Sequence, residues 1–181
     1  MALHPDEEDI TRMLAGDPQA FQRLVTQHIG SLTNYVGRFT GNRTDTEDIV
    51  QETFVRLWTR KASYDPSRSR LTTWLHRVAH NLCIDRIRQG ERASTDTLDE
   101  TEELATNQEP GSLLEQRTQQ QQVESALLSL PAQQRGALVL FHYQGLSLKE
   151  VASTLDISTE AADSLLRRAR ASLRKKLMET E

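Results

Sequence analysis

Residues 147–176 read SLKEVASTLDISTEAADSLLRRARASLRKK, and the punctuation of this segment fixes what it builds. Ser147 and Glu150 form an S-x-x-E capping box on a short helix that turns Val151, Ala152 and Leu155 inward. Asp156-Ile157-Ser158 is the turn. Thr159 then starts a longer helix with Ala162, Leu166, Ala169, Leu173 and Leu177 on one inner face, which is helix-turn-helix spacing. The outer face presents Asp163, Ser164, Arg167, Ala171, Arg174 and Lys175, with Arg168 at its edge. Six positive charges and no acid stand between Leu165 and Leu177, and long donors of this kind suit base edges and phosphates in a major groove. The competing reading is a basic last turn that complements the helix dipole and adds solubility.

Upstream, the chain reads as helix almost throughout. Asp17-Pro18 supplies an N-cap and a proline at the first helical position. Phe21, Leu24, Val25, His28, Leu32, Tyr35, Val36 and Phe39 follow at helical spacing until Gly41-Asn42. Thr44 to Glu47 matches a capping box opening a second helix, where Ile49, Val50, Thr53, Phe54, Leu57 and Trp58 cover one side. After the turn-forming loop from Tyr64 to Arg70 comes TWLHRVAHNLCIDRIR, Thr73 to Arg88. Leu75, Val78, Ala79 and Leu82 form its core stripe, while Thr73, Arg77, Asn81, Ile84 and Arg88 line a second stripe suited to nucleic acid. Further helices are expected from the Ser112–Glu115 capping box to Leu130, and from Ala132 to Tyr143.

The 181 residues carry a net charge of −4, which argues against a nucleic-acid partner until its distribution is considered. Eight acids lie between residues 91 and 115 against Arg92 alone, so the rest of the chain is net positive. That acidic stretch has too little apolar surface to offset its ordering entropy and reads as a flexible linker. The expected fold is all-α, with one small helical domain over 1–90, a linker over 91–111 and a second helical domain over 112–181. The linker is either a solvated tether or an acidic mimic of RNA within a basic channel.

No run of 18 apolar residues, apolar leader or lipidation signal is present, so membrane insertion is not expected and the cytoplasm is. The lone Cys83 agrees with a reducing compartment. His76, His80 and Cys83 share one side of a helix at i, i+4 and i+7, a spacing open to a metal but equally to ordinary packing beside the core. Three local ligands do not complete a site, so neither metal nor other cofactor is expected. No nucleophile-base pair, phosphate loop or paired carboxylate motif argues for catalysis.

DTEDIVQETFVRLW (Asp45 to Trp58), TWLHRVAHNLCIDRIR and LPAQQRGALVLFHYQGLSLKEVASTLDIS together resemble regions 2 and 4 of the extracytoplasmic-function (ECF, group IV) sigma factors, in the family's order. The resemblance implies a bacterial initiation subunit that binds core RNA polymerase through its β′ and β subunits. It implies opening of minus-10 DNA by the N-terminal domain, minus-35 reading by the C-terminal domain, and an anti-sigma protein as inhibitor. By the same resemblance the polymerase surface falls on Asp48, Gln51, Glu52, Val55 and Trp58, although Trp58 also fits the core. The minus-10 set is Tyr64, Arg68, Arg70, Thr73, Trp74, Arg77, Asn81 and Arg88, with Tyr64 or Trp74 offering a stacking face and Trp74 equally a core anchor. The minus-35 set is Lys149, Thr159, Asp163, Ser164, Arg167, Arg168, Arg174 and Lys175. Asp163 departs from the Lys or Arg of many members, and its carboxylate repels phosphate yet can accept from a cytosine amino group. An ordinary helix-turn-helix regulator leaves the N-terminal basic stripe unexplained, and a DNA-modifying enzyme lacks a catalytic constellation.

Overall fold

The computed structural model describes residues 6–96 and 112–178. The stretch 97–111, most of the expected acidic linker, lies outside the described residues.

Among the described residues the chain forms eight α-helices and no strand. The second, α2 (Pro18–Thr40), begins as its sequence requires: the Asp17 carboxylate accepts from the Gln19 amide at 2.8 Å and the Ala20 amide at 3.3 Å. It ends at Gly41, whose φ of 66° is a left-handed conformation that a side chain would strain. The next helix, α3 (Arg43–Thr59), starts earlier than the Thr44–Glu47 box suggests. Asn42 is its N-cap, accepting from the Asp45 amide at 3.0 Å, so Gly41-Asn42 both closes one helix and opens the next. A short 3-10 turn (Lys61–Ser63) and the loop to Arg70 lead into α4 (Leu71–Asp96), which continues six residues into the acidic stretch.

A helix absent from the sequence expectation, α1 (Glu7–Leu14), packs on α2. Asp9 accepts from the Arg23 guanidinium, and Asp6 pairs with buried His28 at 3.0 Å. The N-terminal core joins Met13, Leu24, Leu32, Tyr35, Leu57 and Leu75, all almost without exposure.

In the C-terminal half, α5 (Ser112–Leu128) is followed by α6 (Ala132–Leu138). The helix expected to run unbroken to Tyr143 instead widens into a π-helical turn, Val139–Tyr143, where the Gln144 amide donates to the Val139 carbonyl at 3.1 Å. The capping box of α7 (Leu148–Leu155) forms as read, with Ser147 and Glu150 each bonding the other's backbone amide. Asp156, at φ 57°, makes the tight left-handed turn into α8 (Thr159–Met178).

The sequence reading of two heads held apart is corrected here: the domains dock. α7 packs on α4, while α5 and the π-helical turn pack on α2, so one continuous core runs through both halves. The Arg135 guanidinium bonds the Phe39, Leu128 and Leu130 carbonyls, joining the end of α2 to the end of α5. Close approach requires a glycine at 136, where a Cβ would meet His80 Cε1 at 2.9 Å and Phe39 Cε2 at 3.2 Å.

Candidate nucleic-acid and polymerase interfaces

The outward side of α3 carries Asp48, Gln51, Glu52 and Val55, all exposed. Glu52 holds Arg56 one turn later at 2.8 Å, and Arg86 from α4 reaches Asp45 at 3.3 Å and Asp48 at 3.5 Å. Trp58 is half-buried against Phe21, ring centroids 4.9 Å apart, with the Lys61 ammonium 5.0 Å from its ring. It therefore serves core and surface at once. Beside this acidic face lies an apolar groove between α2 and α3, of about 510 Å³, walled by Phe21, Val25, Ile29, Phe54, Val55 and Trp58. Ile29 and Val55 are large apolar side chains more than two-fifths exposed on its rim. The α2 wall escaped the sequence reading because Phe21 and Val25 fit the core stripe; only Ile29, off that stripe, signals a second apolar surface.

The expected minus-10 residues separate into three groups. Tyr64 and Thr73 are buried, a correction to their reading as contact residues of an open surface. The Tyr64 hydroxyl donates to the Ser69 carbonyl at 3.2 Å, its ring meets Trp74 edge-on at 5.9 Å, and burial pushes its phenol up to about 12. Trp74 is half-buried, closer to an anchor than to a free stacking face. A second group is occupied by the C-terminal domain. Arg70 reaches the Glu150 carboxylate at 3.3 Å; Arg77 donates from Nε to the Ser153 carbonyl at 3.1 Å and from Nη2 to Ser153 Oγ at 3.3 Å. Arg68, Asn81 and Arg88 form the third group, exposed to solvent. Within the loop, Asp65 accepts from the Ser67 amide and hydroxyl, which lowers its carboxyl pKa and fixes the turn.

His76 and His80 are wedged between the domains and do not converge on a ligand. His76 Nδ1 sits 2.8 Å from the Thr72 carbonyl, and His80 Nδ1 sits 2.9 Å from the Tyr35 hydroxyl. Burial lowers both imidazoles, His80 to about 4, and raises the buried Cys83 thiol to about 12. Among the described residues, no group of three or more His, Cys, Asp or Glu is placed to hold a metal.

On the C-terminal domain, Lys149, Thr159, Asp163, Arg167, Arg168, Arg174 and Lys175 are exposed and Ser164 is half-buried. Asp163 lies 3.9 Å from Arg167, whose other end reaches Ser164 Oγ at 3.3 Å, while Arg168 donates to the Ser164 carbonyl. Asp163 thus tethers an arginine on the reading face. Arg170 turns away from this strip, donating to His142 at 3.2 Å and covering Phe141, so it braces α8 on the π-helical turn.

Residues 24–93 match the Sigma-70 region 2 family and residues 120–173 the Sigma-70, region 4 family. Among curated relatives, the sigma factor CnrH of Cupriavidus metallidurans is 33% identical over 92% of this chain and 93% of its own length. The ECF RNA polymerase sigma factor SigW of Bacillus subtilis is 31% identical over 93% of this chain and 94% of its own. SigE of Mycolicibacterium smegmatis, also 31% identical, is longer, and the match spans 60% of it. Among solved structures, CnrH in complex with the cytosolic domain of CnrY superposes with a TM-score of 0.74 at 27% identity, covering 97% of this chain and 99% of that one.

Proposed function

The chain belongs to the ECF RNA polymerase sigma factors, subunits that bind core polymerase and direct promoter-specific initiation, and from that membership we propose how its surfaces divide the work. The α3 face of Asp48, Gln51, Glu52 and Val55, with Trp58 and the adjoining apolar groove, docks on the β′ subunit of core polymerase; further contacts reach β. An acidic rim beside an apolar trough suits a helical partner that offers both cations and apolar side chains. The exposed strip of α8, with Lys149 and Thr159, reads minus-35 DNA in the major groove. Arg68, Arg70, Arg77, Asn81 and Arg88 hold the opened minus-10 strand, Asn81 through its paired donor and acceptor. The exposed basic strip of α8 carries the DNA assignment most directly, because four cationic side chains lie along one helix face (Arg167, Arg168, Arg174, Lys175).

CnrH has been solved with CnrY, and we propose an inhibitory partner of that kind for this chain. The chain acts by binding rather than by catalysis. Among the described residues no helix is long and apolar enough to cross a membrane, and the site of action is placed in the cytoplasm with the polymerase.

Promoter-directed transcription with purified core polymerase tests partner and function together. Glu52→Arg should abolish co-purification with core enzyme while shifting stability by within about 0.5 kcal/mol, as exposed substitutions do. Undiminished core binding by that variant removes the α3 assignment.

A further inference from the structure

Two of the five cations assigned to the minus-10 strand already have partners, and both partners lie on α7. Arg70 meets the Glu150 carboxylate; Arg77 grips the Ser153 carbonyl with two guanidinium nitrogens and also reaches its hydroxyl. Ser153 belongs to the last turn of α7, where helix carbonyls lack intrahelical donors and the helix dipole is negative. The C-terminal domain therefore offers these arginines a carboxylate and electron-rich oxygens, the chemistry that a nucleic-acid backbone would offer.

We propose that α7 is an internal competitor for the minus-10 strand, engaging Arg70 and Arg77 in a closed form of the free chain that must open before single-stranded DNA can be held. The inference rests on the minus-10 reading of those two arginines. The same guanidinium cannot satisfy Ser153 and a phosphate at once, so DNA engagement and domain docking are exclusive. The rest of the interface is built to release: besides Arg135 it is joined by the Ser31 hydroxyl on Gln144 at 2.7 Å and by Arg38 stacked 4.0 Å over the Tyr143 ring. Only one small residue, Gly136, lets α6 approach His80 and Phe39 so closely.

The test uses the full chain carrying Arg167→Ala, Arg168→Ala and Arg174→Ala, so that α8 no longer holds DNA, and a fluorescent mixed-sequence single-stranded DNA, because backbone contacts need no particular sequence. Gly136→Leu forces α6 from α2 and α4 and should tighten binding about tenfold, as release from a closed fraction of roughly nine-tenths requires. Conversely, Ser31→Cys with Gln144→Cys, joined by a short bifunctional maleimide, locks the domains together and should nearly abolish binding, with recovery when a cleavable linker is cut. Cys83 is buried and stays out of this chemistry. If the locked chain binds DNA as well as the unlocked one, self-masking is overturned, whatever Gly136→Leu does to folding. If locking blocks binding but Arg77→Ala leaves the affinity of the unlocked chain and of the Gly136→Leu chain unchanged, Arg77 does not hold DNA, and the minus-10 reading of that residue fails with the inference built on it.

Discussion

α4 and α8 are written in the same idiom, an apolar stripe beside a basic one, yet they end in different surroundings. On α8 the basic strip faces solvent from Asp163 to Lys175. On α4 the corresponding strip is half covered: Thr73 is buried and Arg77 is engaged, while Asn81 and Arg88, one and three turns further on, are open. Amphipathic periodicity assigns side chains to faces of one helix. Which face stays wet is decided by what arrives from elsewhere in the chain, and for Arg77 that is a residue 76 positions away.

The contrast can be broken at the Arg135 staple. Arg135→Ala removes a partly buried guanidinium from three carbonyls and should cost about 3 kcal/mol, on the scale of hydrogen bonds to charged groups. Thermal unfolding reads the loss, and hydrogen exchange should show the first turns of α4 becoming exposed while the outer face of α8 changes little. Equal change in both helices would mean that the staple holds the C-terminal domain itself together.

Acid should act on the same seam. The His80 imidazole, lowered by burial to about 4, titrates near 6.5 in the unfolded chain, so the unfolded state takes up the proton first. The contribution of His80 is thus complete above about pH 6.5 and is lost as pH falls toward 4, reaching about 2–3 kcal/mol by pH 4.5. Urea unfolding at pH 7 and pH 4.5 measures the drop, and His80→Gln should flatten part of it. An unchanged pH slope in that variant assigns the loss to the carboxylates instead.

Function separates the helices more finely. Arg167→Ala should weaken binding to duplex promoter DNA by roughly 1–3 kcal/mol if it reads a base edge. Asn81→Ala should leave that binding alone and impair strand opening, detected by permanganate reactivity of unpaired thymines and relieved on a premelted template. Equal failure of both variants on premelted DNA would erase the division between α4 and α8. The smallest effect is expected at Asp163, whose exposed pairing with Arg167 contributes about 0.5 kcal/mol or less to stability. Asp163→Asn should leave the melting temperature in place while altering base preference at one promoter position; selection from randomised minus-35 DNA would show it, and an identical consensus would exclude Asp163 from readout.

The helix-turn-helix was legible because its signals are local: a capping box, an Asp tolerant of the left-handed turn, and a stripe at helical spacing all lie within one stretch. The acidic α3 face was legible for the same reason. Three features were not. The Asn42 cap competes with a Thr44 box of equal local quality, and reach to the Asp45 amide decides between them. α1 carries Glu7, Glu8 and Asp9 in its first turn and needs Arg23 and His28 from α2 to settle, partners invisible to a window of eight residues. Tyr64 and Trp74 look alike as loop aromatics; the Ser69 carbonyl within hydrogen-bonding reach is what lets Tyr64 sink into the core.

The π-helical turn at Val139–Tyr143 has a further implication for how this chain tolerates change in length. A π turn holds one residue more than an α turn without interrupting the helix, so deleting a single residue there restores ordinary winding rather than breaking the segment. Winding back by one residue rotates everything downstream by about 100° relative to α6, carrying Gln144 away from Ser31 and swinging the reading helix to a new heading. Such a deletion would re-aim an intact C-terminal domain, making this turn a steering joint.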